Sequence, residues 1–171
     1  PRSVPDAQVL AAVRALLRQG GDKAVAFSVV AERAGLAPAS LAQRYGSVQG
    51  MIAAAASDGV DQALAALARL EAEAPEKGPQ GLLKALADLA PDPVILAVLM
   101  RSPEGRDKAT AFRTAAEAAI ARPLGAKQAA AAPMLFAAWA GLQAWSGTGQ
   151  AGFKLKDVVK RLKPGGILLT G

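Results

Sequence analysis

The stretch FSVVAERAGLAPASLAQRYG, Phe27–Gly46, decides how the rest of the chain is read. It predicts a short helix over Phe27–Ala34, a turn at Gly35 and a second short helix over Pro38–Tyr45. Two helices crossing at a tight turn need a small residue where they touch, and Ala31 supplies it. They also need a turn residue that tolerates positive φ, where a β-carbon is penalised; Gly35 meets that need. Val30, Leu36 and Leu41 are placed to lock the second helix onto the first. The spacing of Ala31, Gly35 and Leu41 is that of a helix-turn-helix. An ordinary helical hairpin is the alternative, because Ala-x-x-x-Gly is common in alanine-rich chains.

Helices extend outward on both sides. Upstream, Ser3, Pro5 and Asp6 form a capping pattern, and Val9, Leu10, Val13, Leu16 and Leu17 share one face until Gly20-Gly21. Downstream, a long helix runs from Ser47 to Glu73 with Met51, Ile52, Ala55, Ala63, Leu64, Leu67 and Leu70 inward. Ala74–Gln80 is a linker. Leu82, Leu83, Leu86 and Leu89 mark a short helix stopped by Pro91-Asp92-Pro93. Val94–Met100, apolar on all sides, reads as a buried helix, with a strand as the alternative. Ser102-Pro103 opens a helix to Pro123, Lys127–Trp145 is another, and Leu155, Val158, Val159 and Leu162 mark a last amphipathic one. The expected fold is all-α, with about nine helices. A three-helix head with the helix-turn-helix takes residues 1–47, and a helical body takes residues 48–171.

Composition agrees. Of 171 residues, 52% are hydrophobic, many of them alanine, and 4% are aromatic; alanine favours helices over strands. There is no cysteine and no histidine, so disulfides, thiolate metal sites and histidine general bases are excluded. Metal, cofactor and catalytic activity are therefore not expected. No export leader opens the sequence, and Ala129–Leu142, broken by Pro133, is too short to span a bilayer. The expectation is a soluble, cytoplasmic protein without a membrane partner. Residues 1–50 carry six Lys/Arg against three Asp/Glu, residues 51–150 nine against ten, and residues 151–171 five against one. A basic head fits a polyanionic partner or an ordinary solvated surface.

Residues 9–56 combine a helix ending in glycine, A-E-R-A-G-L, S-L-x-x-R-Y-x-S and a long apolar helix. This arrangement resembles the N-terminal domain of TetR-family transcriptional regulators, whose usual form of the last part is G-V-S-x-G-T-L-Y-x-Y-F-x-S-K-E-x-L. Here Gly35–Met51 reads GLAPASLAQRYGSVQGM. The resemblance implies a bacterial, homodimeric regulator, usually a repressor, that binds double-stranded DNA and a small apolar effector. Pro38–Arg44 would then be the recognition helix, with Pro38 and Ala39 at its leading end. Ser40, Gln43 and Arg44 would reach bases or phosphates; arginine pairs well with guanine and glutamine with adenine. Leu41 and Tyr45 would pack inward, and Ser47 would cap the long helix and offer its amide end to a phosphate.

Three departures weaken the match. The family commonly opens the second helix with Thr or Ser, carries Tyr in the recognition helix and opens the fourth helix with Lys. The aligned positions are Val25 or Ala26, Ala42 and Val48, which cannot grip phosphates. Each lost cationic contact lowers the salt slope by about 0.9, so weaker binding is expected unless Arg2, Lys23, Arg33 and Arg44 compensate. In such a dimer, two recognition helices read half-sites of a near-palindromic operator, and the last helices pair across the two-fold axis. Effector binding in the body would shift the spacing of the heads. Leu86, Met100, Phe112, Phe136 and Trp139 are the candidate pocket residues, more ordinarily core. The alternative is a TetR-fold ligand carrier or partner-binding protein that has lost DNA binding.

Other patterns have plainer readings. Gly147–Gly152 matches G-x-G-x-x-G, but a helix precedes it where a dinucleotide site needs a strand. Leu162–Leu169 resembles a methyltransferase segment without the upstream unit. Asp58/Asp61 and Glu73/Glu76 read as solvated helix faces, and Lys154–Lys163 as a surface helix with one buried face.

Overall fold

The computed structural model describes residues 4–73, 78–145, 148–149 and 154–161. Among them are nine α-helices and no strand: α1 (Asp6–Gly20), α2 (Phe27–Ala34), α3 (Pro38–Tyr45), α4 (Val48–Glu73), α5 (Pro79–Leu89), α6 (Pro93–Leu99), α7 (Pro103–Leu124), α8 (Ala132–Ala144) and α9 (Leu155–Arg161). Two 3₁₀ turns, Gly21–Ala24 and Ala129–Ala131, precede α2 and α8. The fold is all-α, as expected. No described helix is long and apolar enough to cross a membrane.

The chain forms two compact units. The first takes Pro1–Ala63 and Pro91–Thr110; the second takes Leu64–Ala90 and Ala111–Gly171. In the first, α1 packs on α2 and α6, and α2 packs on α3. Val9, Val13, Leu17, Val30, Leu41 and Met51 are fully buried there. In the second, Leu83, Leu86, Ile120, Leu135 and Trp139 lie in one apolar cluster that also takes in Val159 of α9.

Several helices start elsewhere than expected, each for a local reason. α1 begins at Asp6, after an extended Pro5 that makes no side-chain cap; Ser3, the expected cap, lies outside the described residues. α5 begins at Pro79, so the linker is shorter than Ala74–Gln80. Proline has no N–H to lose in a first turn, where that donor is unsatisfied anyway. The same rule places Pro133 in the first turn of α8, so Lys127–Trp145 is not one helix. Val94–Met100 is helical, yet Val94 and Met100 are 38% and 50% exposed, so it is not buried on all sides. Met134 and Trp145 are 62% and 69% exposed.

Asp58 and Asp61 do not line a free solvated face. Asp58 pairs with Arg14, a side chain only 9% exposed, and Asp61 pairs with Lys108 at 2.5 Å. Arg14 also donates to the Ala55 carbonyl oxygen at 3.3 Å and to Gln62 Oε1 at 3.4 Å. Gln62 in turn donates to Asp58 at 2.9 Å, so α1 is fastened to α4 by a network that satisfies the buried charge. Lys154, Lys156 and Lys160 are exposed while Val159 is buried, giving α9 one buried face. Most of Gly147–Gly152, all of Leu162–Leu169, and Glu76 fall outside the described residues, and the helix α8 ends shortly before that glycine-rich stretch.

Candidate nucleic-acid interface

The α2–α3 pair is built by local backbone chemistry. Gly35 takes φ 68° and ψ 36°, in the left-handed region. That turn lets the Leu36 N–H reach the Ala31 carbonyl oxygen at 2.9 Å, closing α2 with a Schellman-type bond. Pro38 sits in the first turn of α3, where its fixed φ suits a helix start. Gly46, at φ 72°, ends α3. Ser47 Oγ then accepts from the Gly50 N–H at 2.9 Å and caps α4.

This frame divides α3 into two sides. Leu41 is fully buried, whereas Pro38, Ala39, Gln43 and Arg44 are exposed and Ser40 is partly so. Those residues, with exposed Ser47 just beyond, make up the outer strip of α3 that meets solvent. Lys23 is exposed in the 3₁₀ turn after α1. At the positions where the resemblance called for phosphate-gripping side chains, Ala26 precedes α2 without a side-chain cap, Val25 is buried, and Ala42 and Val48 are half-buried.

Arg44 is not a free arm. Its Nη1 donates to the Val4 carbonyl oxygen at 3.0 Å and to Asp6 Oδ1 at 3.3 Å. The Tyr45 hydroxyl donates to the same carboxylate oxygen at 3.0 Å. Burial, aided by the hydrogen bond and negative charge of Asp6, pushes the Tyr45 hydroxyl up to about 12. Sequence reading missed this clasp and the Arg14–Asp58 network. A signal existed for the second: Arg14 interrupts the apolar face of Leu10, Val13 and Leu17, a place that demands a partner.

Two further pairs tie the end of α1 and the turn after it to residues flanking α6. Arg101 holds Asp22 through bonds of 2.6 and 3.2 Å, and Arg18 reaches Asp92 at 3.4 Å. The Arg101 hydrogen bond, partly opposed by desolvation, holds the Asp22 carboxyl below its usual range.

Four of the five candidate pocket residues lie in the second unit, and Trp139 also borders a hollow there. Leu86, Phe112 and Trp139 are buried in the second unit, and Phe136 packs between Phe112 and Trp139 with ring centroids 6.5 and 5.6 Å away. They fill a core. Met100 is in the other unit, half exposed. Each unit has a hollow among its described residues. One of about 340 Å³ is bordered by Leu83, Lys84, Trp139 and Lys156 in the second unit. The larger, about 600 Å³, is a groove in the first unit with Ile52, Val98 and Leu99 on its apolar side and Arg101, Glu104 and Lys108 on its polar side.

No protein-family profile matches the sequence, and no curated protein is similar to it in sequence. Solved structures do share its fold. The TetR family transcriptional regulator PfmR of Thermus thermophilus has a TM-score of 0.59 at 19% identity, covering 90% of this chain and 93% of its own. A candidate transcriptional regulator of Streptomyces coelicolor A3(2), SCO7518, has a TM-score of 0.61 at 18% identity, covering 91% and 94%. The multidrug binding protein EbrR, complexed with imidazole, has a TM-score of 0.59 at 20% identity, covering 96% and 97%. The chain therefore has the fold of a TetR-family transcriptional regulator.

Proposed function

We propose that the protein is a homodimeric, DNA-binding transcriptional regulator, acting as a repressor, with residues 1–47 as the head and residues 48–171 as the body. The observation that carries this reading is the exposed strip of α3, rigidly set by Gly35 and the buried Leu41. Gln43 and Ser40 offer hydrogen bonds to base edges. The small Pro38 and Ala39 let the start of α3 approach the groove closely. Lys23 and Ser47 would contact phosphate, as would the amide ends of α3 and α4.

Dimerisation is supported by the outer face of α8. Met134, Ala137, Gly141 and Trp145 recur at helical spacing and are all exposed. A stripe of that kind, with small residues at its centre, suits close packing against a second copy. Two α3 helices would then read a near-palindromic site. The 600 Å³ groove has the size of a small-molecule site, and it is the best candidate for an apolar effector. Arg101, on its rim, also grips Asp22, so an occupant could bias the head through that pair.

The test is selection of bound duplexes from a random-sequence pool. Recovery of an inverted repeat supports the reading, and Gln43→Ala should then relax one position in each half-site. Recovery of no sequence above the input would remove it. The second reading, a carrier or partner-binding protein, is favoured by the apolar Ala26, Ala42 and Val48. It predicts tight ligand binding with no enriched DNA.

A further inference from the structure

The Asp6 carboxylate meets the last two residues of α3 at one oxygen, accepting from Arg44 at 3.3 Å and from Tyr45 at 3.0 Å. The Arg44 side chain is 30% exposed and that of Asp6 is 66% exposed. Both side chains thus reach water beside the strip assigned to DNA. An exposed pair of this kind contributes only about 0–1 kcal/mol, so a stronger anion can take the guanidinium from it. A DNA phosphate is such an anion, and arginine binds it with paired, charge-assisted hydrogen bonds.

We propose, resting on the reading of α3 as the recognition helix, that Asp6 is a positioning residue that restrains DNA affinity. Its carboxylate occupies Arg44, and DNA binding requires Arg44 to exchange Asp6 for a phosphate. Arg44 is then a phosphate contact held in reserve rather than a reader of bases. The plainer role of Asp6, an acidic residue favouring the N-terminal end of α1, predicts lower stability on its removal and no gain in DNA binding.

Asp6→Asn separates the two, because it keeps an oxygen acceptor and removes the charge. Fluorescence anisotropy with a duplex from the region upstream of the gene should show about five-fold tighter binding at low salt, with a salt slope steeper by about 0.9 for each guanidinium released. In an Arg44→Ala background the gain should vanish. Tyr45 is the only tyrosine, so phenolate absorbance reports the contact without DNA. Its midpoint, about 12, should fall part of the way to its ordinary value near 10, burial holding the remainder. An unchanged Tyr45 titration would overturn the proposal. So would unchanged or weaker DNA binding by Asp6→Asn while the parent chain binds, or a gain that survives Arg44→Ala. Failure of the parent chain and every variant to bind any duplex would overturn the recognition-helix reading, and this inference with it.

Discussion

Both compact units have an apolar core, but they differ in how many polar contacts fasten them. Five of the seven ion pairs among the described residues lie in the first: Arg14–Asp58, Arg18–Asp92, Arg44–Asp6, Arg101–Asp22 and Lys108–Asp61. The second has Arg113–Glu117 and Arg122–Glu71, and relies on a leucine, alanine and aromatic cluster around Leu83, Leu86, Ile120, Leu135 and Trp139. Ion pairs and hydrogen bonds are directional, so they select one alignment of helices. Apolar packing rewards buried area with little regard to direction and accommodates changes in shape. The difference leaves α3, in the first unit, set by directional contacts as well as by packing.

The largest expected effect comes from cutting the second unit's core. Leu135 is fully buried, and Leu135→Ala should cost about 2–5 kcal/mol in chemical denaturation. A cost under 1 kcal/mol would mean that this cluster is not what holds the unit together. In the first unit, Asp58→Ala strands the covered Arg14 charge. Because Asp58 is 27% exposed, the cost should be near or below the lower end of the ~3–5 kcal/mol seen for fully buried pairs. Arg14→Met, which removes the charge and keeps the bulk, should cost much less. Equal costs for the two variants would refute the directional role of the pair.

A smaller effect is expected at the α2–α3 turn. Gly35→Ala places a β-carbon at φ 68° with nothing within 4 Å to clash, so the penalty is conformational, roughly 1–2 kcal/mol. It should reorient α3 and weaken DNA binding more than it lowers the melting temperature. The smallest effect is electrostatic. Asp22 is held below its ordinary value mainly by Arg101. The stability it contributes is therefore present above the ordinary carboxylate range and is lost as pH falls through its lowered folded value. Melting temperatures below about pH 4 should drop less steeply in Asp22→Asn than in the parent chain. Identical acid profiles would show that the pair is absent in solution.

What the sequence made legible was local. The bounds of α2 and α3 follow from Gly35, Pro38 and Gly46, whose backbone preferences act on their immediate neighbours. The long α4 follows from its apolar periodicity and the Ser47 cap. The contacts that tune the proposed interface were hidden because they join distant positions. Asp6 reads locally as a helix-start residue, and only the folded chain brings it to Arg44 and Tyr45. Arg14 and Asp58 are 44 residues apart. The hollows were hidden for a related reason: aromatic residues announce that space will be filled, not that space will be left. Phe112, Phe136 and Trp139 pack on one another, and the larger hollow forms where the small Ala53 and Ala54 meet the α6–α7 turn.

The central claim, that α3 and its clasp serve DNA recognition, is tested most directly by measuring affinity for a labelled upstream duplex at two salt concentrations beside a scrambled duplex. The account predicts saturable, sequence-selective binding that weakens steeply as salt rises. Equal, weak binding to both duplexes at low salt would contradict it, and would leave the body as the seat of function.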